Sequence, residues 1–189
     1  MKKYRTPPML NDIVQAGLAV CDDVLFDHCG SCPRCGGPVS GYDVKRKQFA
    51  VLVEEERKRT ISVRVKRFYC RTCDSVFFAE QPFYAGTRLG SPVVDICNSF
   101  SDIMPYFRAT AILGQMGVIV DRWSVRNYAA SGYRPASTIN MFGVRLPPSI
   151  MALSGLAAGA NDGRRIEASE ILSACAFPSR QKKVIQPEE

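Results

Sequence analysis

Histidine is almost missing from this chain. His28 is the single histidine in 189 residues, and no motif joins it to a serine or cysteine nucleophile, so the sequence argues against triad chemistry. Long apolar runs are missing as well. The longest candidate, Ile150 to Ala160, falls well short of the roughly 18 residues a membrane span requires. Met1-Lys2-Lys3 leads into Tyr4-Arg5-Thr6-Pro7-Pro8 rather than into the apolar core of a signal peptide. The expectation is a soluble, cytoplasmic protein without a membrane partner. At about 100 to 200 residues per domain, the length allows one domain or two small ones and excludes a large multidomain enzyme. What is present suffices to fold: 46 % of residues are hydrophobic and 10 % aromatic, unlike chains that stay disordered.

Acidic residues are sparse in the middle of the chain. Between Cys32 and Cys73 stand eleven basic residues (Arg34, Lys45, Arg46, Lys47, Arg57, Lys58, Arg59, Arg64, Lys66, Arg67, Arg71) and four acidic ones (Asp43, Glu54, Glu55, Glu56). That local excess of seven equals the net +7 of the whole chain. A basic field of this kind attracts polyanions, nucleic acid first, although a membrane surface or plain solubility uses it too.

The cysteines divide into a patterned set and a scattered one. Cys32-Pro-Arg-Cys35 and Cys70-Arg-Thr-Cys73 have zinc spacing: each pair can form a knuckle with two thiolates aimed at one ion, and two knuckles complete a closed tetrahedral site of the structural kind. Gly36-Gly37 follows the first pair, where the backbone must turn sharply and leave amides free to point at sulfur. The 34 residues between Cys35 and Cys70 exceed the usual ~15 to 20. Two other chemistries stay open. Cys29, Cys32 and Cys35 together spell an iron–sulfur pattern with Cys70 or Cys73 as fourth ligand, and a C-x-x-C pair can exchange disulfides. His28 or Cys29 can also join the site. Cys21, Cys97 and Cys175 sit among apolar neighbours and read as small buried hydrophobes.

The long gap contains a hairpin. Phe49-Ala-Val-Leu-Val53 and Thr60-Ile-Ser-Val-Arg-Val65 are strand-like runs around a charged tip, Glu54-Glu-Glu-Arg-Lys-Arg59. In the second run Ile61, Val63 and Val65 share one face, while Ser62, Arg64, Lys66 and Phe68 share the other. Basic groups beside an aromatic ring suit a nucleic-acid surface, which makes Arg64, Lys66, Arg67 and Phe68 candidate contacts. The alternative is that Phe68 packs on the knuckle.

Helical patterns flank the ribbon. Thr6 can cap a helix opened by Pro7, with Met9, Leu10, Ile13, Val14, Leu18, Cys21, Val24 and Leu25 recurring through Phe26. Its outer face carries Asp12, Asp22, Asp23 and Asp27, so it is expected to turn away from nucleic acid. Ser91-Pro92 reads as a second cap. Pro105 to Met116 reads as a helix with Phe107, Ala111, Ile112 and Met116 inward. It stops at Gly117, and a turn leads to a cap at Asp121 and a second helix with Val125 and Tyr128 inward. That is the arrangement of a helix-turn-helix, whose exposed early positions enter the major groove, here Arg122, Ser124, Arg126 and Asn127. An ordinary pair of core helices has the same pattern. Leu146-Pro-Pro-Ser149 opens a last pair of helices, 150–157 and 166–177, in which Gly155, Ala158, Gly159 and Ala160 are small enough for close packing within the monomer or across a homodimer. Pro178-Ser-Arg180 and the polar tail to Glu189 read as an exit into disorder.

The order Cys32-Pro-Arg-Cys35-Gly-Gly, basic strand, Phe68-Tyr-Cys-Arg-Thr-Cys73, Phe77-Phe78 and Met116-Gly-Val-Ile-Val-Asp-Arg-Trp-Ser-Val-Arg-Asn-Tyr128 resembles the N-terminal DNA-binding region of zinc-ribbon insertion-sequence transposases, especially archaeal ones. The resemblance covers roughly residues 28 to 134. In that family a nuclease domain with three metal-binding carboxylates follows. Here too few residues follow Tyr133, and Asp162, Glu167 and Glu170 lie in a helical, Ala-rich stretch, so the resemblance implies DNA binding and withholds catalysis. The expected fold is α+β: a zinc-ribbon hairpin module (29–85) between an N-terminal amphipathic helix (1–28) and a helical region holding the helix-turn-helix (91–134), then a helical pair (145–178) and a tail (179–189). The expected function is that of a non-enzymatic, Zn(2+)-dependent protein of double-stranded DNA, a regulator or a transposase-derived binder. An accessory or truncated transposase and a zinc-ribbon module for RNA or protein are the alternatives.

Overall fold

The computed structural model describes residues 6–135, 137–160 and 164–177. Its fold is α+β, with six helices and two sheets among the described residues. In chain order these are α1 (Pro8–Ala19), β1 (Leu25–Phe26), β2 (Val39–Glu54), β3 (Arg57–Cys70), β4 (Ser75–Phe78), α2 (Ser91–Ser101), α3 (Tyr106–Gln115), α4 (Arg122–Ala130), β5 (Ile139–Met141), β6 (Val144–Leu146), α5 (Pro148–Gly159) and α6 (Ala168–Ala174). The tail from Pro178 and the carboxylate of Asp162 lie outside the described residues.

The ribbon is longer than the alternating runs suggest. Antiparallel pairing of β2 with β3 continues from Val39↔Cys70 to Glu54↔Arg57, so only Glu55 and Glu56 remain as the turn. Both have positive φ, 48° and 63°, the conformation a two-residue hairpin turn demands. The expected six-residue tip is therefore corrected: Glu54, Arg57, Lys58 and Arg59 belong to the ladder, and backbone pairing overrides their charge. Two bulges, at Gly41/Asp43 and Gln48/Ala50, re-aim single side chains of β2. Tyr42 is thrown outward. Phe49 is thrown inward, fully buried and edge-on to Phe83 at 5.8 Å. That ring presses so closely on Gly90 that a Cβ there would lie 2.2 Å from it.

The opposite edge of β3 is shared. β4 pairs antiparallel along Arg67–Cys70, and β1 pairs parallel at Leu25↔Arg64 and Phe26↔Val65. This corrects the first helix, which ends at Ala19 instead of running to Phe26. Asp23 takes φ 58°, and Val24-Leu25-Phe26, a run with strand preference, docks on an edge whose backbone groups need partners. Two expected caps move by one residue: Pro7 precedes α1 and Gly90 precedes α2, and neither supplies a side-chain cap. Outside the ribbon, β5 and β6 form a short hairpin that the periodicity did not reveal.

One connected core joins all of this. It runs from Leu10, Val14 and Leu18 of α1 through Ile61, Val63 and Val65 of β3 to Leu153 of α5 and Ile171 of α6. Helix α2 lies inside it, buried from Ser91 to Phe100. Helix α1 packs on α5 because Gly17 has no side chain: a Cβ there would sit 2.9 Å from the Ile150 carbonyl oxygen. The three scattered cysteines, Cys21, Cys97 and Cys175, are buried as expected, and burial pushes the Cys21 and Cys97 thiols up.

Candidate functional site

Two tight turns bring four sulfurs together at the end of the ribbon away from the Glu55-Glu56 turn. The first knuckle closes through Gly36 N donating to the Cys32 carbonyl, 2.8 Å, and Cys32 N donating to the Gly37 carbonyl, 3.1 Å. Gly36 has φ 71°, and a Cβ on Gly37 would lie 2.6 Å from the Thr72 hydroxyl, so the two glycines let the knuckles meet. The second knuckle spans the turn between β3 and β4, with Asp74 at φ 52°. The Sγ atoms of Cys32, Cys35, Cys70 and Cys73 all lie within 4.8 Å of one another, with Cys32···Cys73 at 3.6 Å and Cys35···Cys70 at 3.5 Å. A tetrahedral four-thiolate site with bonds of ~2.3 Å has sulfur–sulfur edges of about 3.8 Å. The group can hold a metal ion.

Electrostatics point the same way. Desolvation raises the Cys32 thiol, but the amides of Arg34 and Cys35 and the Cys73 thiol outweigh it and bring it down to about 6. At Cys35 the Gly37 amide lowers the thiol, while the neighbouring Cys70, Cys73 and Cys32 sulfurs push it up to about 12. Four sulfurs this close cannot all ionise alone, and a bound cation removes the conflict. Cys29 stands outside the cluster, with its thiol donating to the Ser31 carbonyl at 3.4 Å, and His28 is exposed on the surface.

The strand residues singled out for nucleic acid fare unevenly. Arg64 is exposed but pairs with Asp23, 3.1 Å. Arg67 forks onto Asp43, with Nε–Oδ1 at 2.6 Å and Nη2–Oδ2 at 2.5 Å. Lys66 has no ion-pair partner among the described residues and lies over the Phe68 ring at 5.3 Å. Phe68 itself is only 8 % exposed and stacks on Phe77 at 6.3 Å. Its stacking surface is thus taken, a correction that follows from β4 pairing beside β3 and setting Phe77 opposite Phe68. Two of the four carboxylates expected on the outer face of the first helix, Asp22 and Asp23, pair with arginines of the basic strands. Asp22 holds Arg59, and Asp23 holds both Arg46 and Arg64.

Helices α3 and α4 are joined through the turn at Gly117. Gly117 has φ 74°, and Asp121 caps α4 by accepting from Ser124 N at 2.8 Å. Val125 and Tyr128 are buried, while Arg122, Arg126 and Asn127 are exposed. Ser124 is half-buried, and its hydroxyl donates to Asp121 Oδ2, so it serves the cap. Phe107 and Ala111 point outward, with Ala109 and Leu113 in their place, because the inward stripe is turned by about one residue. The turn is not free-standing. Val53 N donates to the Gly117 carbonyl and Ile119 N to the Val51 carbonyl, both 2.8 Å, which ties it to β2.

Sequence reading missed two surface features. Trp123, 68 % exposed, stands beside Arg126 on α4, with the guanidinium 5.3 Å from its ring centre. On the ribbon, Tyr42, Arg67, Phe78, Lys47 and Phe83 form a stripe of alternating rings and cations. Placing β4 beside β3 would have aligned Phe78 with Arg67. The outward bulge of Tyr42 left no mark in the sequence.

No helix among the described residues is long and apolar enough to cross a membrane. Compared with models of protein families, with curated proteins and with solved structures, the chain matches none.

Proposed function

We propose that this chain is a non-enzymatic, zinc-dependent DNA-binding protein. Cys32, Cys35, Cys70 and Cys73 hold the ion as a structural site, and α4 meets the major groove. The observation that carries this reading is α4 itself: Val125 and Tyr128 anchor it, and its first turns leave Arg122, Arg126 and Asn127 to solvent after a capped start. Zinc is favoured over a multi-iron cluster because the sulfurs are close enough to surround one ion only. Arg64 and Arg67 now count as ribbon-stabilising ion pairs, and Lys66 remains as a phosphate contact.

Selection of DNA sequences by the zinc-loaded protein tests the reading. Arg126→Ala or Asn127→Ala should relax preference at one base position, by about 1 to 3 kcal/mol, and leave non-specific binding largely intact. An unbiased selected pool contradicts it. A second reading, docking to a protein partner, draws on the exposure of Trp123 and Phe107, large apolar rings of the kind that anchor interfaces. That reading gains if duplex DNA fails to bind.

A further inference from the structure

The ribbon stripe has three properties that a stabilising cluster would not need. The first is exposure. Phe78 is 39 % and Tyr42 59 % exposed, while the neighbouring Phe77 and Phe68 already satisfy the packing of this end of the sheet. Tyr42 is held outward by a bulge that interrupts the β2–β3 ladder, and the Arg67 guanidinium lies 5.2 Å from its ring. The second is unneutralised charge. Lys47 Nζ sits 5.0 Å from the Phe78 ring and 4.1 Å from that of Phe83, and its hydrogen-bond partner is the Gln81 amide oxygen, 3.0 Å away. No carboxylate pairs with it among the described residues. The third is concavity. Lys47, Phe78, Gln81 and Phe83 line a groove of about 820 Å³ that also takes in Pro33 of the first knuckle and Glu80, with Tyr42 outside it.

Rings presented by a sheet can stack only on bases whose faces are free, and a duplex hides those faces between neighbouring pairs. Lys47, a cation without a carboxylate partner over the Phe78 ring, matches the phosphate that follows a base stacked there. We propose that this stripe, with its groove, is a binding site for single-stranded nucleic acid, in which bases stack on Phe78 and Tyr42 and Lys47 meets phosphate. The proposal rests on the nucleic-acid reading above but assigns a different surface and a different form of the polymer.

The test uses the full zinc-loaded chain with fluorescein-labelled oligothymidylate, oligouridylate and a mixed-sequence duplex, read by anisotropy. Phe78→Ala and Lys47→Ala should each weaken both single strands about tenfold, while Phe78→Tyr, which keeps the ring, binds close to the unaltered chain. Duplex affinity should not move with any of them. Trp123 is the only tryptophan and stands on α4, so its emission should change with duplex and stay constant with single strands. Unchanged single-strand affinity in Phe78→Ala with its metal retained would overturn the proposal, and so would a tryptophan response to single strands equal to that of duplex. Should Phe78→Ala lose its metal, Tyr42→Ala carries the same expectation. Duplex binding without single-strand binding defeats this site alone, whereas binding of neither defeats the DNA-binding reading with it.

Discussion

Asp43 shows how one residue decides what a basic surface can do. Its carboxylate accepts both arms of the Arg67 fork and also lies 3.3 Å from Lys45. The Arg67 hydrogen bonds, opposed by partial burial and aided by Lys45, hold its carboxyl down from 3.8 to about 2. A carboxyl depressed on folding stabilises the fold fully above its unfolded value and loses that contribution as pH falls through the folded one. The stability gap between the unaltered chain and Asp43→Asn should therefore be constant above about pH 4 and close as pH falls toward 2, as followed by acid titration of denaturant midpoints. A gap that persists at pH 2 would mean that Asp43 acts through shape rather than charge. Counting cations along the sequence overstated the free charge for the same reason. Asp22, Asp23 and Asp43 are distant in sequence from several of the arginines they neutralise, and only folding brings them together.

At the scale of elements, helix α4 has a cap that can be removed cleanly. Asp121→Ala takes away the acceptor for Ser124 N and the partner of the Ser124 hydroxyl, and should cost about 1 kcal/mol of stability, seen as a lowered thermal midpoint. Asp121→Asn should recover most of it, and a loss no larger in Ala than in Asn would show that the cap is not made. This helix was legible beforehand, since Gly117, Asp121, Val125 and Tyr128 are local signals at fixed offsets. So were the two C-x-x-C knuckles and the buried face of β3. What escaped notice depends on partners far along the chain. Leu25–Phe26 continues a helical stripe by spacing and becomes a strand only because β3 offers an edge. Phe68 reads as exposed until β4 lies beside it. The charges from Lys45 to Lys47 hid the first half of β2, whose regularity comes from backbone pairing alone.

Across the whole molecule, the ribbon is built in two halves. Near the Glu55-Glu56 turn, Phe49, Leu52, Ile61 and Val63 are part of the common core, whereas toward the knuckles β2 is mostly exposed and the four cysteines join the Phe68–Phe77 pair and the Arg67–Asp43 fork in holding the chain. Chelation should accordingly raise amide exchange in β4 and in residues 66–70 while α2 stays protected, measured by hydrogen exchange on the full chain. Simultaneous loss of protection in α2 would make the metal a condition of the whole fold. The backbone bonds from Val51 and Val53 to the turn before α4 matter in another way. They leave no linker between ribbon and helix, and Lys47 stands four residues, roughly 13 Å, along the same strand from Val51. On the two proposals together, the surfaces would form a gauge of fixed length: a polymer with a duplex segment and an open strand at that spacing would engage both with no entropy lost to aligning one surface with the other, and a polymer with any other spacing would engage one at a time.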